Sequence, residues 1–280
     1  MESQPNKVAL WCVPRSLSTV FCKSIAEVEN SVIFLEYYIA AAHSGPEQII
    51  SVSSHPNDPV IGRIGRYVPE PNFTYAYVKE EIESEAQGKE LYFVKDMAYA
   101  LGGEFGRLPE GYQHTFLMRH PAHVFESYNI LMTEKMGMPS LKSVLPQGFA
   151  FKEIYDLYEY VTKELKQMSV IIDADDLKAN PEGIMRSYCD ATGISFSKSM
   201  LSWKPEVLPP HPSKWKASSI NWLQNRMFGL YKEALGSSEF KRSDSKPINI
   251  EALSGEVKEC TEFSLPYYNK LFELRLKTKL

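Results

Sequence analysis

The chain has 280 residues, of which 44% are hydrophobic and 12% aromatic, and this is enough to bury one large core. Charged residues make up 24%, an ordinary share for a folded protein, which argues against a chain that is disordered throughout. The formal net charge of −4 makes the chain a poor general binder of nucleic acid or of an anionic membrane, so a polyanionic ligand requires a local cluster of donors.

Membrane and metal signals are missing from the sequence. No apolar run approaches the roughly 20 residues of a membrane-spanning helix. The N-terminal residues MESQPNK lack the basic start and apolar core of a signal peptide. The cysteines are scattered without a CxxC pair, a pattern unlike a metal site or a disulfide framework. We therefore expect a cytoplasmic protein with reduced thiols, no bound metal, and neither a membrane nor nucleic acid as partner.

Short apolar runs alternate with helical patterns along the first two-thirds of the chain. Buried strands are predicted at residues 8–13, 32–36, 91–94, 115–118 and 169–173. Helices are predicted at residues 18–28, 37–42 and 152–166, from Pro121 onward, from Pro181 to a stop near Gly193, and at 251–276. This alternation predicts a three-layer α/β fold with a central parallel sheet, whose ligands bind at the carboxyl ends of the strands.

The strongest local motif is PRSLST, residues 14–19, between the first predicted strand and the first predicted helix. N–H groups at a helix start attract anions, and the Arg15 guanidinium suits phosphate or sulfate oxygens. Ser16, Ser18 and Thr19 add hydroxyl donors. A helix cap needs only one hydroxyl, so the pattern favours an anion site over a simple cap. The nucleotide-binding motifs GxxxxGK[ST] and GxGxxG are absent from these strand ends.

A second arginine follows a predicted strand at Arg119, and Ser127 comes eight residues later. Ser127 then lies about two turns into the helix that Pro121 opens. Arg119 can reach the same cleft as Arg15, because the carboxyl ends of parallel strands share one edge. The alternative is an arginine paired with a surface carboxylate and an exposed serine, but the combination with PRSLST favours a second anion clamp.

These motifs resemble those of the sulfotransferases that use 3′-phosphoadenosine-5′-phosphosulfate (PAPS). Strand-PRSxST-helix resembles their 5′-phosphosulfate loop, in the bacterial-type branch with arginine in place of lysine, and Arg119 with Ser127 is similar to their 3′-phosphate motif. The segment 169–196 resembles a third, mainly structural part of the family. The resemblance implies a P-loop-NTPase-like sulfotransferase fold, PAPS as cosubstrate, PAP as product, and a small-molecule acceptor sulfated on a hydroxyl or an amine without a metal.

The resemblance also implies which residues bind the donor. They are Pro14, Arg15, Ser16, Leu17, Ser18, Thr19, Arg119, Ser127, Tyr188, Lys214 and Trp215. Tyr188 either lies near the adenine or packs in the core. Lys214 and Trp215 belong to HPSKWK, the nearest candidate for the family's basic covering loop, and either clamp the nucleotide or are a solvated lysine and a core tryptophan. The acidic turn at 173–176 is interpreted as structural rather than as a metal site.

The catalytic residues that we expect are Arg15, Lys95 and Glu36. Lys95 directly follows a predicted strand, but Met97 stands where one branch of the family carries a catalytic histidine. We therefore expect Glu36, at the end of its strand, to act as the base, as in the bacterial carbohydrate sulfotransferases that it resembles. The alternative is that Glu36 caps the next helix; Asp96 and His43 are the reserve bases.

We expect one domain over residues 1–280, since the sequence has no repeat or obvious linker. Residues 43–90, rich in proline and aromatics, predict an irregular acceptor-side excursion, and residues 204–250 predict a loop region that covers the cofactor. Tyr37, His43 and Tyr99 are expected to contact the acceptor. A nucleotide phosphotransferase and an inactive PAP- or PAPS-binding protein are the alternative functions, and the sequence leaves a homodimer open.

Overall fold

A parallel β-sheet forms the centre of the protein. The structure, a computed structural model, describes residues 4–50, 70–85, 88–206, 214–242, 248–253 and 255–278. Within these residues, six strands form one sheet in the order β5-β4-β1-β3-β2-β6, and every pair of neighbours is parallel. The strands are β1 (Asn6–Cys12), β2 (Ser31–Leu35), β3 (Leu91–Asp96), β4 (Gln113–Met118), β5 (Val170–Asp173) and β6 (Trp215–Ala217). Their carboxyl ends therefore lie along one edge of the sheet.

Helices connect the strands and cover both faces of the sheet. They are α1 (Ser18–Ile25), α2 (Tyr37–Ser44), α3 (Tyr75–Glu83), α4 (Pro121–Asn129), α5 (Phe151–Lys163), α6 (Ala174–Ala179), α7 (Pro181–Thr192), α8 (Ser219–Phe228), α9 (Lys232–Leu235) and α10 (Gly255–Glu273). A π-helical turn, Ile130–Lys135, continues α4. Short 3₁₀ turns lie at Ala98–Leu101, Phe105–Arg107, Lys142–Val144, Lys198–Leu201 and Ile250–Ala252.

Alternating side chains of the buried strands contribute to two separate cores. On β1, Ala9 and Trp11 face a core that includes residues of α2, α3, α5 and α10. Val8 and Leu10 face the opposite core, which includes residues of α1 and α7. A strand places successive side chains on opposite faces, so a sheet covered on both sides is apolar along its whole length. This arrangement confirms the predicted three-layer α/β fold with a central parallel sheet.

Each strand predicted from an apolar run is present, but two predicted irregular stretches contain regular structure. The stretch 43–90 contains α3, whose N-terminus is capped by the Thr74 side chain, which accepts a hydrogen bond from the Tyr77 N–H. Residues 51–69 and 86–87 of this stretch lie outside the described residues. The stretch 204–250 contains β6, α8 and α9, and its residues 207–213 and 243–247 are likewise outside. A three-residue strand carries no periodic signal, and only its pairing with β2 defines it.

The acidic turn after β5 anchors the C-terminal helix. Asp173 accepts hydrogen bonds from the N–H groups of Asp175 and Asp176, and thereby caps α6. Its other carboxylate oxygen accepts from Tyr268 Oη at 3.0 Å. Arg275 Nε donates to Asp176 Oδ2 at 2.6 Å. The turn is therefore a structural junction, as the sequence predicts.

Replacing Trp215 tests the edge strand β6. Trp215 is 3% exposed and packs in the core with α1 and α7, so Trp215→Ala should lower the free energy of unfolding by about 3–5 kcal/mol. Urea denaturation measures this loss. Met168→Ala is the control, because Met168 is 90% exposed and its loss should leave the free energy of unfolding nearly unchanged. Equal midpoints for the two variants would contradict the burial of Trp215.

The buried His114 predicts a loss of stability in acid. Trp11 Nε1 donates to His114 Nδ1 at 3.1 Å, and burial lowers the pKa of His114 from 6.5 to about 4. The unfolded chain therefore takes up a proton below about pH 6.5 that the folded chain takes up only near pH 4. The free energy of unfolding should fall over this interval by about 1.4 kcal/mol per pH unit from this group.

The matched variant is His114→Gln, which keeps a hydrogen-bond acceptor but does not titrate. Urea denaturation between pH 7 and pH 4 should show that the free energy of unfolding depends less steeply on pH in His114→Gln than in the unmodified protein. Some dependence on pH remains, because burial also lowers the pKa of His43 and of His120 to about 4. Identical slopes in the two proteins would show that His114 is not buried in its neutral form.

Candidate functional site

A cavity of about 480 Å³ lies at the carboxyl edge of the sheet. Residues 14–20 line it after β1, Glu36 after β2, Met97 after β3 and Arg119 after β4, with Lys95 at the end of β3. Four neighbouring strands, β4, β1, β3 and β2, thus contribute side chains to one cavity. This is the location at which parallel α/β sheets bind ligands.

The β1–α1 connection has an unusual backbone. Arg15 and Leu17 adopt left-handed φ angles of 59° and 67°, a conformation that is costly for residues other than glycine. Ser16 Oγ donates to the Val13 carbonyl at 2.7 Å and closes the turn, so this hydroxyl proton is not available to a ligand. The N-cap residue of α1 is Leu17, without a side-chain hydrogen bond. The alternative interpretation as a serine cap is therefore wrong, and the first N–H groups of α1 remain for an anion.

Two arginines meet beside this loop. Arg15 Nε donates to Ser127 Oγ at 3.0 Å, and Arg119 Nη1 donates to the Arg15 carbonyl at 3.3 Å. Arg15, from one predicted motif, is therefore in direct contact with both Arg119 and Ser127, which come from the other.

The charge of this arginine pair is only partly compensated. Arg119 Nε is buried without a hydrogen bond and lies 3.8 Å from Asp175 Oδ1, while Lys178 Nζ lies 2.6 Å from the same oxygen. Burial lowers the pKa of Arg15; Glu233 acts in the opposite direction and Arg119 in the same one. An anion bound here would reduce the repulsion between the two arginines.

Glu36 lies at the centre of a buried polar cluster. Lys95 Nζ donates to Glu36 Oε1, and the Tyr231 hydroxyl donates to Glu36 Oε2. Asn221 Nδ2 donates to the backbone carbonyls of Leu35 and Glu36, each at 3.2 Å. Burial lowers the pKa of Lys95, but the Glu36 carboxylate, together with Cys12 and Cys22, raises it, and the net shift is upward. Both Glu36 oxygens are thus engaged, and Lys95 carries its charge at the cavity wall.

Asp96 caps α2, and Glu36 does not. Asp96 accepts hydrogen bonds from the N–H groups of Tyr38 at 2.6 Å, Ile39 at 3.1 Å and Met97 at 2.9 Å. Burial raises the pKa of Asp96 to about 7, and these N–H donors oppose the rise. Asp96 is fully buried and does not line the cavity. We therefore assign it a structural role instead of the predicted role as a reserve base.

Two of the three predicted acceptor contacts lie in the cavity. His43 and Tyr99 line it, and burial lowers the pKa of His43 to about 4, with Glu36 acting against this shift. Tyr37 instead packs edge-on to Phe34 and against Phe73, and it does not line the cavity. We therefore correct the prediction for Tyr37: its position on α2 directs its ring into the core between the sheet and α3.

Three residues predicted to bind the donor have structural roles. Tyr188 is fully buried, with its hydroxyl 3.0 Å from Thr115 Oγ1 and its ring edge-on to Phe21. Trp215 is buried within the edge strand β6, and the carbonyl of Lys214 accepts from the Ile33 N–H at 2.8 Å. None of the three lines the cavity. For Lys214 and Trp215 the physical reason is that both pair with β2; residues 211–213 of HPSKWK lie outside the described residues.

Several cavity residues have no counterpart in the sequence motifs. Asn221 and Tyr231 come from the stretch around α8 and α9, where the sequence shows no motif that marks them. Tyr128, Leu131 and Met132 come from the helix that carries Ser127 and from its π-helical turn. A spacing of four residues places Ser127 and Leu131 on the same face of a helix, and this spacing is the sequence signal that predicts Leu131 in the cavity.

The fold and the site together define a class of protein. It is an α/β protein with an arginine in a strand-loop-helix connection and a second arginine after the neighbouring strand, both at the carboxyl edge of a parallel sheet. The family model described as "Sulfotransferase domain" matches residues 6–211, so the chain belongs to the sulfotransferase-domain family. This confirms the predicted family. Asn221 and Tyr231 lie beyond the matched range.

Curated relatives and solved structures show further similarity. The chain is 27% identical over 217 residues to "Branched-chain-amino-acid aminotransferase-like protein 1" of Arabidopsis thaliana, covering 74% of this chain and 34% of that protein. It is 26% identical over 208 residues to "Branched-chain-amino-acid aminotransferase-like protein 2" of Arabidopsis thaliana, and the match covers 71% of this chain and 32% of that protein. The chain thus spans about a third of the length of the curated relatives that it matches.

Two solved structures are also similar. One is the sulfotransferase domain from the Synechococcus PCC 7002 olefin synthase, at 18% identity and a TM-score of 0.44, covering 72% of this chain and 78% of that chain. The other is the sulfotransferase domain from the curacin biosynthetic pathway, at 13% identity and a TM-score of 0.45, and the match covers 95% of this chain and 99% of that chain.

The described residues contain neither a metal-binding cluster nor a membrane-spanning helix. No group of three or more His, Cys, Asp or Glu side chains is placed to hold a metal ion in that part of the chain. No helix found there has both the length and the apolar character needed to cross a bilayer.

The buried Glu36–Lys95 pair predicts an asymmetric effect of substitution. Glu36→Gln leaves the Lys95 ammonium buried without an anion, and should lower the free energy of unfolding by about 3–5 kcal/mol. The double variant Glu36→Leu with Lys95→Met removes both charges and should recover most of that loss. Urea denaturation of the single and double variants measures both values.

Tyr231→Phe is the control for this pair. It removes one hydrogen bond to Glu36 but keeps the ion pair, so it should cost about 1–3 kcal/mol. A Glu36→Gln protein as stable as the unmodified one would mean that Lys95 is not buried against this carboxylate.

Proposed function

We propose that this protein transfers a sulfuryl group from PAPS to a hydroxyl or an amine of a small-molecule acceptor and releases PAP. The observation that carries the proposal is the contact of Arg15, Ser127 and Arg119 at the end of the sheet. Two neighbouring arginines whose charge is only partly compensated favour a ligand with more than one anionic group. A nucleotide that carries both a 5′-phosphosulfate and a 3′-phosphate has this character.

The residues present fit such a donor. The left-handed backbone at Arg15 and Leu17 leaves α1 without a side-chain cap, so its first N–H groups are free to bind oxygens of the 5′-phosphosulfate. Arg15 adds a cation beside them. Arg119 and Ser127 follow β4 and would hold the 3′-phosphate, as the family motif implies. The cavity volume of about 480 Å³ lies within the range of small-molecule sites.

Positioning and charge account for the chemistry. Bound PAPS supplies a sulfuryl group already activated by its phosphate leaving group. Arg15 and the N–H groups of α1 stabilise negative charge on the sulfuryl oxygens and on the leaving phosphate. Lys95, whose pKa is raised by Glu36, remains protonated at the cavity wall and adds a second fixed cation.

Glu36 is the proposed base when the acceptor is a hydroxyl. Its carboxylate is held on one oxygen by Lys95 and on the other by Tyr231, and each oxygen retains a further lone pair for the proton of the acceptor. In a loose transition state the acceptor proton is removed only late. If the acceptor is an amine, Glu36 would instead bind its positive charge.

We also propose a cytoplasmic location. All four cysteines are free and buried, which is the state that a reducing compartment favours. Burial raises the pKa of Cys12 and lifts that of Cys260 to about 11, so these thiols are poor nucleophiles.

The experiment is thermal stabilisation by PAP, compared with ADP and ATP. PAP at about 100 times its dissociation constant should add about 2.7 kcal/mol to the folded state. The shift should be lost in Arg119→Ala and in Arg15→Ala, and sulfation of an acceptor by either variant should fall by about a hundredfold or more.

Arg186→Ala is the matched control, because Arg186 is exposed and bonded to Glu182 on α7. It should retain the full PAP shift. A shift with ATP in preference to PAP would support a nucleotide phosphotransferase instead. A PAP shift with no transfer from PAPS to any acceptor in a broad panel would support an inactive binding protein.

A further inference from the structure

One wall of the cavity is apolar and rich in methionine. Three of its residues, Leu131, Met132 and Met138, are buried, and four others pack against them. The cavity-lining members of this methionine-rich wall are Leu131, Met132, Met136, Met138, Val144 and Leu230. Other lining residues include Arg15 and Arg119, so the cavity combines an apolar part and a cationic part.

The π-helical turn Ile130–Lys135 builds the methionine-rich wall. The Met136 N–H donates to the Leu131 carbonyl at 3.0 Å, and the Met138 N–H donates to the Met132 carbonyl at 2.8 Å. These bonds fold the chain back so that all four side chains lie together. π-Helical turns inside α-helices frequently mark functional sites, and methionine side chains adapt to ligands of varied shape.

The wall adjoins the proposed reaction centre. Leu131 lies four residues after Ser127, on the same face of the helix, and Ser127 is bonded to Arg15. Between them, Tyr128 lines the cavity and packs against the methionine-rich wall. Burial and Glu36 raise the pKa of Tyr128 while Arg15 lowers it, so its hydroxyl lies within electrostatic range of both charges. A ligand that reaches from Glu36 along Tyr128 therefore meets thioether and aliphatic groups.

This side of the cavity offers little to a charged or many-hydroxyl acceptor. The described residues that form the wall carry no charged side chain, and Lys135, the cavity-lining lysine of the same turn, is exposed. His43, on the other side of Glu36, is held neutral by burial. Hydroxyl or ammonium groups buried against methionine would lose their hydrogen bonds to water without replacement.

We propose that the acceptor is a neutral alcohol or phenol with an apolar body, which binds on the methionine-rich wall with its hydroxyl at Glu36 and Lys95. This inference rests on the proposed function and narrows its acceptor from hydroxyls and amines in general. In the transfer, the acceptor oxygen forms a bond to sulfur while the bond from sulfur to the bridging phosphate oxygen breaks. That electron pair stays on the phosphate of PAP, and the hydroxyl proton passes to Glu36.

The test uses 2-naphthol, whose fluorescence reports binding, with the protein saturated by PAP. We expect saturable binding of 2-naphthol to the unmodified protein. Met132→Gln and Met138→Gln replace a thioether by an amide of similar size, and should each raise the dissociation constant for 2-naphthol about tenfold or more. Both variants should keep the thermal shift with PAP, because neither residue belongs to the arginine side of the cavity.

Met168→Gln is the matched control, since Met168 is exposed and does not line the cavity, so its replacement should leave 2-naphthol binding unchanged. Glucosamine, which carries an amine and several hydroxyls, should not displace 2-naphthol. Three results overturn the inference while PAP still binds: no 2-naphthol binding, binding that the two variants do not weaken, or displacement by glucosamine. Absence of the PAP shift in the unmodified protein would instead overturn the proposed function itself.

Discussion

The buried ion pair between Lys95 and Glu36 joins the parts of the chain that form the cavity. Lys95 ends β3 and Glu36 follows β2, so the pair connects neighbouring strands at their carboxyl ends. Tyr231, almost 200 residues along the chain from Glu36, completes the hydrogen bonding of the same carboxylate. Removing one charge leaves the other buried without a partner, whereas the complete cluster fixes β2, β3 and the α8–α9 segment relative to each other.

The site concentrates features that are unfavourable for folding alone. Arg15, Leu17 and Glu36 all adopt left-handed φ angles without being glycine. Arg15 and Arg119 lie side by side, and a guanidinium nitrogen is buried without a partner. Strain and unpaired charge of this kind persist where surrounding structure enforces them, and they mark binding sites more often than structural ones. The two large cores on either face of the sheet supply that enforcement.

The last third of the chain supports the site although it lies mostly beyond the family match at 6–211. Asn221 and Tyr231 hold Glu36 directly. Tyr268 of α10 holds Asp173, and the turn that Asp173 caps carries Asp175 beside Arg119. C-terminal elements therefore support both the arginine part of the cavity and the Glu36 part, and Leu230 from the same region completes the methionine-rich wall.

The sequence by itself determined the parallel α/β layers and the arginine motifs, because these depend on local period and on the rule that parallel strands end at one edge. Arg15, Arg119 and Ser127 were identified for that reason, and they are in contact. Only the tertiary structure decided that Trp215 and Tyr188 are core residues and that Tyr231 and Asn221 reach Glu36. Those contacts join residues far apart in the chain, and no local pattern records which distant surface will pack against a given side chain.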